Sequence, residues 1–316
     1  MKLAVVFPGQ GSQSVGMGVD LAGKHAIAAG IIRRASDVLG WDLLEACRVG
    51  PEEKLAETSV AQPALYVLGY AVWEVLRNEG VVPALLSGHS LGEYTAAAAS
   101  GAVSFEEGLE AVNLRGSAMS RAARLCPGGM LAVIGAPRAD LDKWLADAGA
   151  KGVVTVANEN SPEQVIVSGV SDALGAVEEA ARKGGAKKVV RLKVSGAFHS
   201  PLMNSAADEM REVLAGMKFK DPAIPVVGNV AASLLETAEA VREDLAKQIV
   251  SPVRWEACVR AMAKAGVGAF VEAGPGKVLC GLIRRIDKAY AVHSTGSAKD
   301  LDETVAAIKG ETHGKT

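Results

Sequence analysis

The stretch Leu85-Leu86-Ser87-Gly88-His89-Ser90-Leu91-Gly92-Glu93 restricts the fold more than any other part of the chain. A short apolar run meets Gly-His-Ser-Leu-Gly, and a helical pattern continues through Tyr94 and the alanines to Ser100. A serine at a tight strand-to-helix turn, with glycine two residues before and two after, has the layout of a nucleophile elbow. Such a turn holds the Ser90 hydroxyl clear of a sheet, over the positive end of the following helix. The Leu91 N–H then points where an oxyanion would form. The competing reading is a strand-helix turn whose serine only caps the helix.

The flanking chain suits an elbow. Leu3–Phe7 reads as a buried strand that breaks into Pro8-Gly9-Gln10-Gly11-Ser12-Gln13. The glycines around Gln10 permit a backbone path closed to most residues, so this is either a flexible loop or one that brings Gln10 near the serine. Helical patterns follow over Gly30–Leu39 and Ala64–Asn78. Ser104 with Glu107 forms a capping box, opening a helix that carries Arg115 and Met119. Strands and helices alternate throughout, which predicts an α/β layered fold.

From Cys126-Pro127-Gly128-Gly129 the texture changes. Strands are expected at Met130–Gly135, Val153–Asn158, Gln164–Ser168 and Lys188–Val194, with helices at Arg138–Ala148 and Ser171–Lys183. That order is β-α-β-β-α-β, a ferredoxin-like unit inserted into a larger domain. Lys187, Lys188, Arg191 and Lys193 cluster at its end, as a solvated strand face or a partner site. The chain returns at Ser195-Gly196-Ala197-Phe198-His199-Ser200-Pro201, where His199 follows a strand among small residues. A lone loop histidine is often structural; a base is nevertheless needed to activate Ser90. A strand at Pro225–Val227, a helix near Ala238–Gln248 and a strand at Ala269–Glu272 follow. Ala273-Gly-Pro-Gly-Lys277 lacks phosphate-loop spacing and reads as a strand-helix junction, with the next helix running through Arg285.

Bulk properties exclude several classes. A net charge of -2 over 316 residues gives no pull toward nucleic acid or a membrane surface. No apolar run reaches membrane-span length. The four cysteines, Cys47, Cys126, Cys258 and Cys280, lie far apart without metal-type pairing and are expected in the core of a cytoplasmic protein. No metal site is expected. A polar, frayed tail is expected over 309–316.

Taken together, Pro8-Gly-Gln-Gly-Ser-Gln13, Gly88-His-Ser-Leu-Gly-Glu-Tyr94, Arg115, Ala197-Phe-His-Ser200, Gln248 before Ser251-Pro-Val-Arg-Trp255, and Glu272-Ala-Gly-Pro-Gly-Lys277 resemble the malonyl-CoA:acyl carrier protein transacylases of type II fatty acid synthesis. The resemblance implies a large α/β-hydrolase-like domain over 1–125 and 196–308, with the ferredoxin-like subdomain inserted at 126–195. It implies Ser90 as nucleophile, His199 as its base, and Gln248 orienting His199 through its main-chain carbonyl. Gln10 and Leu91 would serve the oxyanion hole. Arg115 would grip a malonyl carboxylate with two parallel hydrogen bonds, with water or a nearby carboxylate as its partner in the free enzyme. Met119 and Asn160 would line the same cleft, and Phe198 would crowd acyl groups larger than malonyl. The partners implied are malonyl-CoA as donor and the phosphopantetheine thiol of acyl carrier protein as acceptor, with no bound cofactor and a monomeric enzyme. A serine esterase or thioesterase accounts for Ser90 and His199 but not for Arg115. An inactive carrier-binding scaffold predicts a lost nucleophile or base. A trans-acting acyltransferase of polyketide synthesis would use the same chemistry on another carrier.

Overall fold

The computed structural model describes residues 2–313. Its strands, in chain order, are β1 (Lys2–Phe7), β2 (Leu85–Gly88), β3 (Gly129–Ile134), β4 (Val154–Ser161), β5 (Gln164–Gly169), β6 (Lys188–Arg191), β7 (Val226–Val227), β8 (Leu234–Leu235), β9 (Val267–Glu272) and β10 (Ala291–Ser294). They form two sheets. The larger has the order β10-β9-β1-β2-β7-β8, and every pair is parallel except β7 with β8.

The β1 sequence explains why this sheet is covered on both faces. Val5 and Phe7 pack into one core with the helices Thr58–Asn78 and Phe105–Leu125. Ala4 and Val6 pack into another, with Trp255–Lys264 and Val278–Ile286. Side chains of a strand alternate between faces, so an unbroken apolar run needs a helical layer on each side. Each large side chain buried there contributes about 1.5–3 kcal/mol of apolar transfer. Chain connections leave β1 toward β2 on one side and reach β9 on the other. The carboxyl ends of β1 and β9 therefore flank the switch point where such sheets hold ligands, and that of β2 lies next to β1.

The smaller sheet is antiparallel, in the order β4-β5-β3-β6. Leu131, Val133 and Val167 pack under the helices Arg138–Ala148 and Ser171–Lys183, while Met130, Ala132 and Ile166 turn toward the main core. Val253, on the loop before the helix Trp255–Lys264, pairs with β4 of the smaller sheet. Its N–H donates to the Ala157 carbonyl at 2.8 Å, and its carbonyl accepts from Glu159 N at 2.9 Å.

Four details differ from the sequence reading. β6 ends at Arg191 rather than Val194: Leu192 N makes a last bond to the Met130 carbonyl, and the chain then leaves the sheet to line a cavity. β4 runs on through Ser161, so Asn160 lies in a strand and not in a connection. Cys126 is exposed, because it follows the helix Phe105–Leu125 at its open end; the other cysteines are buried. The last helix, Ala298–His313, extends past Lys309, where a tail was expected. Leu301 and Val305 dock it, and Lys309 Nζ bonds Glu79 at 2.7 Å. Gly314–Thr316 lie outside the described residues. Among the described residues no helix is long and apolar enough to cross a membrane, and no cluster of metal-ligating side chains occurs.

Candidate active site

Ser90 adopts φ 51° and ψ −106°, a backbone conformation that a non-glycine residue holds only when its surroundings enforce it. The surroundings here are backbone. A Cβ on Gly88 would collide with the Gly92 carbonyl, and one on Gly92 with the Phe7 carbonyl of the neighbouring strand. Asn229 completes the clamp: its Oδ1 accepts from Ser90 N at 2.8 Å, and its Nδ2 donates to the Gly88 carbonyl at 2.7 Å. The Ser90 hydroxyl makes no capping bond to its own helix. It meets His199 Nε2 at 2.8 Å instead.

His199 also has positive φ, 56°. Its Nδ1 lies 3.0 Å from the Gln248 carbonyl. A carbonyl can only accept, so Nδ1 carries the proton and Nε2 is bare toward the Ser90 hydroxyl. Burial, then the Arg115 charge, push the imidazole pKa down to about 3. A lowered pKa means that acid does not remove the neutral form in the folded chain. Below its ordinary value of 6.5 the unfolded chain binds a proton that the folded chain refuses, so His199 lowers stability as pH falls through that window. A reaction at Ser90 that His199 assists as a base should therefore keep a level rate from about pH 8 to about pH 5, provided the chain remains folded. Stopped-flow measurement of the first turnover across that range checks this. A one-proton fall centred near 6.5 would contradict it.

Arg115 is fully buried. Nη1 donates to Gln62 Oε1 at 2.7 Å, and Nη2 to Gln248 Oε1 at 2.8 Å and to Ser90 Oγ at 3.2 Å. The guanidinium carbon lies 5.3 Å from the Tyr94 ring centroid, and Nε has no partner. Its direct partners are thus neutral, where water or a nearby carboxylate was expected. Amide oxygens satisfy the N–H donors without cancelling the charge, which leaves the site attractive to an arriving anion. Burial lowers the Arg115 pKa.

A cavity of about 350 Å³ opens over these groups. Gln10, Ser90, Leu91, Arg115, Met119, Asn160, Phe198 and His199 all line it. Gln10 Nε2 donates to Thr58 Oγ1 at 3.3 Å, and Asn160 Oδ1 lies 2.8 Å from His89 Nε2. His89 thus lines the same cavity as Ser90. Gln248 stands behind the wall, fully buried.

The side chain of Gln248 is as engaged as its main chain. Nε2 donates to the Ser90 carbonyl at 2.8 Å and to Glu93 Oε2 at 2.6 Å, while Oε1 receives Arg115. The resemblance implied a main-chain role alone, and on that basis Gln248→Ala would matter little. Sequence reasoning also passed over Asn229, Gln62 and Glu93. Only Glu93, in the quoted motif, carried any local signal.

The sequence matches the acyl transferase domain family over residues 4–310. It is 36% identical over 311 residues to the malonyl CoA-acyl carrier protein transacylase of Bacillus subtilis, covering 98% of each chain. The structure of that transacylase from Coxiella burnetii superposes with a TM-score of 0.94 at 35% identity, covering 97% of both chains. A malonyl-transacylase solved in complex with a type II polyketide synthase acyl-carrier protein gives 0.94 at 38% identity, over 97% of this chain and 100% of that one. The chain therefore belongs to the acyl transferase domain family, among the malonyl CoA-acyl carrier protein transacylases.

Proposed function

We propose that this chain moves a malonyl group from malonyl-CoA to the phosphopantetheine thiol of an acyl carrier protein, through an ester on Ser90, supplying extender units for fatty acid synthesis. One observation carries the reading: the buried Arg115 guanidinium, 3.2 Å from Ser90 Oγ, has only neutral direct partners. A nucleophile beside an uncancelled cation suits an acyl group with a carboxylate at its far end. An esterase for uncharged acyl groups has no use for that charge.

In the first half-reaction Ser90 Oγ attacks the thioester carbonyl and its proton passes to His199 Nε2. The oxyanion is held by main-chain N–H groups of Leu91 and the Gln10 loop. Collapse breaks the C–S bond, and the CoA sulfur leaves with the proton from His199. In the second half-reaction the carrier thiol gives its proton to His199, and its sulfur attacks the malonyl ester. Ser90 Oγ then leaves and regains the proton. The malonyl carboxylate on Arg115 also offsets the cation that depresses His199, so the donor makes its own base stronger. Intact-mass measurement after mixing with malonyl-CoA tests the reading. The expected result is one retained malonyl group, mapped to Ser90; a malonyl group mapped elsewhere would sink it.

Phe198 is buried and lines the cavity beside His199. Its ring crowds the acyl α-carbon, so an added methyl misfits by about 1–3 kcal/mol, roughly 10–200-fold. In competition assays, Phe198→Ser should raise methylmalonyl relative to malonyl transfer. An unchanged ratio would leave Phe198 a packing role alone.

The acyl carrier protein is the partner, as in the solved relative's complex. The chain acts as a cytoplasmic monomer, for which sedimentation should give one chain's mass. The architecture reads as an α/β-hydrolase-like domain over 1–125 and 196–308, its final helix running on to His313. A ferredoxin-like insert covers 126–195, a division supported by its holding every strand of the antiparallel sheet and none of the parallel one.

A further inference from the structure

Behind Gln248 lies a pair of buried carboxyl groups that the acyl-transfer steps do not use. Glu93 sits on the first turn of the helix that follows Ser90, and Asp244 one turn before Gln248 on the helix Ala238–Gln248. Both are buried. Glu93 Oε2 accepts from Gln248 Nε2 at 2.6 Å. Oε1 makes no hydrogen bond of ordinary geometry. The Asp244 carboxyl lies against that of Glu93, and the Asn229 main-chain N–H is also close. Asp244 Oδ2 in turn accepts from Val230 N at 3.3 Å.

Two carboxyl oxygens in contact need a proton between them. Two bare carboxylates side by side, out of water, would repel without compensation. Burial and the neighbouring Asp244 both push the Glu93 pKa well above the usual carboxylate range. The proton then lies between the Glu93 and Asp244 carboxyls, and Glu93 Oε2 accepts from Gln248.

That polarity has a consequence for Gln248. An amide can rotate by half a turn and exchange its oxygen and nitrogen. If it did so here, its oxygen would face the Glu93 oxygen and the Ser90 carbonyl, and its NH₂ would face the Arg115 guanidinium. All three contacts would be acceptor to acceptor or donor to donor. The Glu93 acceptor therefore fixes which end of Gln248 meets Arg115. Gln248 is also the residue whose carbonyl holds His199.

We propose that Glu93 and Asp244, sharing one proton, are positioning residues that lock the Gln248 amide and through it align Arg115 with the acyl carboxylate. The proposal rests on the reading of Arg115 as the carboxylate-binding group.

Two substitutions and a spectrum test it. Glu93→Gln reproduces the donor and acceptor pattern of a protonated carboxyl: its oxygen can accept from Gln248 and its NH₂ can donate to Asp244. It should keep malonyl transfer within about threefold of wild type. Glu93→Leu fills the space without either bond, and should lower malonyl transfer by about thirtyfold, as for a buried polar group left unpaired. Acetyl transfer should fall less, so the malonyl-to-acetyl ratio drops; loss of folded protein alone would lower both equally. The infrared difference between wild type and Glu93→Gln at neutral pH should contain the C=O stretch of a protonated carboxylic acid. This band stands even where Glu93→Leu fails to fold. A missing band, a Glu93→Gln variant as impaired as Glu93→Leu, or an unchanged acyl ratio in Glu93→Leu would each overturn the proposal. The band is independent of the reaction catalysed. Its presence with no malonyl ester on wild-type Ser90 would count against the acyl-transfer reading and leave the shared proton standing.

Discussion

His199→Ala should slow the release of CoA from malonyl-CoA by about 10²–10⁴-fold, the usual weight of a positioned general base. The expectation follows from the 2.8 Å contact between Ser90 Oγ and His199 Nε2. Without the imidazole, the serine hydroxyl keeps one close contact, Arg115 Nη2 at 3.2 Å, which is a donor and cannot take a proton. The Gln248 carbonyl loses one of its two donors and keeps the other, Ser251 N at 3.1 Å. Folding of the variant is therefore checked by circular dichroism before rapid-quench kinetics. A loss below tenfold in folded protein would mean that another group serves as base. Gln248→Ala belongs in the same series. It keeps the carbonyl that holds His199 but removes the side-chain oxygen from Arg115 and one donor each from Glu93 and the Ser90 carbonyl. It should be clearly impaired, above all toward malonyl.

Arg115→Ala should lose malonyl transfer by a hundredfold or more, corresponding to about 3–5 kcal/mol for one partner of a buried ion pair. Ser90 should stay reactive toward an uncharged acyl group. Arg115 is one of the two main causes of the depressed His199 pKa, so its removal makes the imidazole a better base. Acetyl-CoA, a poor substrate for wild type, should become the relatively better one. The measurement is the ratio of malonyl to acetyl transfer at matched donor concentrations. Equal loss of both in a folded variant would assign Arg115 to general catalysis or structure, and would sink the case for a dicarboxylic acyl group. The orphaned Gln62 and Gln248 oxygens make some loss of stability certain, so thermal melting accompanies the assay.

The parts of this site that could be read from the sequence are those whose geometry is made locally. The elbow needs two glycines and a serine within five residues, and Ser104 caps the Arg115 helix from three residues before Glu107. The helices Arg138–Ala148, Ser171–Lys183 and Ala238–Gln248 keep the bounds that their apolar spacing suggests, with Thr237 capping the last and a glycine following each of the other two. Asn229 is different. It clamps Ser90 from 139 residues away, on a loop after a two-residue strand that offers no periodicity to read. Gln62 reaches Arg115 from within a mostly apolar stretch of its helix, just before Pro63, and looks like a misplaced polar residue until the partner is known. β8 and β10 went unread for a related reason: two and four residues are too few to display alternation. Lys188–Val194 looks uniformly extended, and only the cavity decides that its last three residues leave the sheet.

The contact among Gly88, Gly92 and Phe7 also limits how this chain can change by mutation. The room a side chain would need at position 88 is occupied by the main chain of position 92, and position 92 is pressed in turn against the main chain of Phe7. A clash with a side chain can be relieved by trimming that side chain elsewhere. A clash with main chain offers no residue to trim, so no second-site substitution restores either glycine. Variation can therefore accumulate in the cavity wall, at Met119, Asn160 or Phe198, and redirect which acyl group is carried. The turn that presents Ser90 is inherited whole or lost.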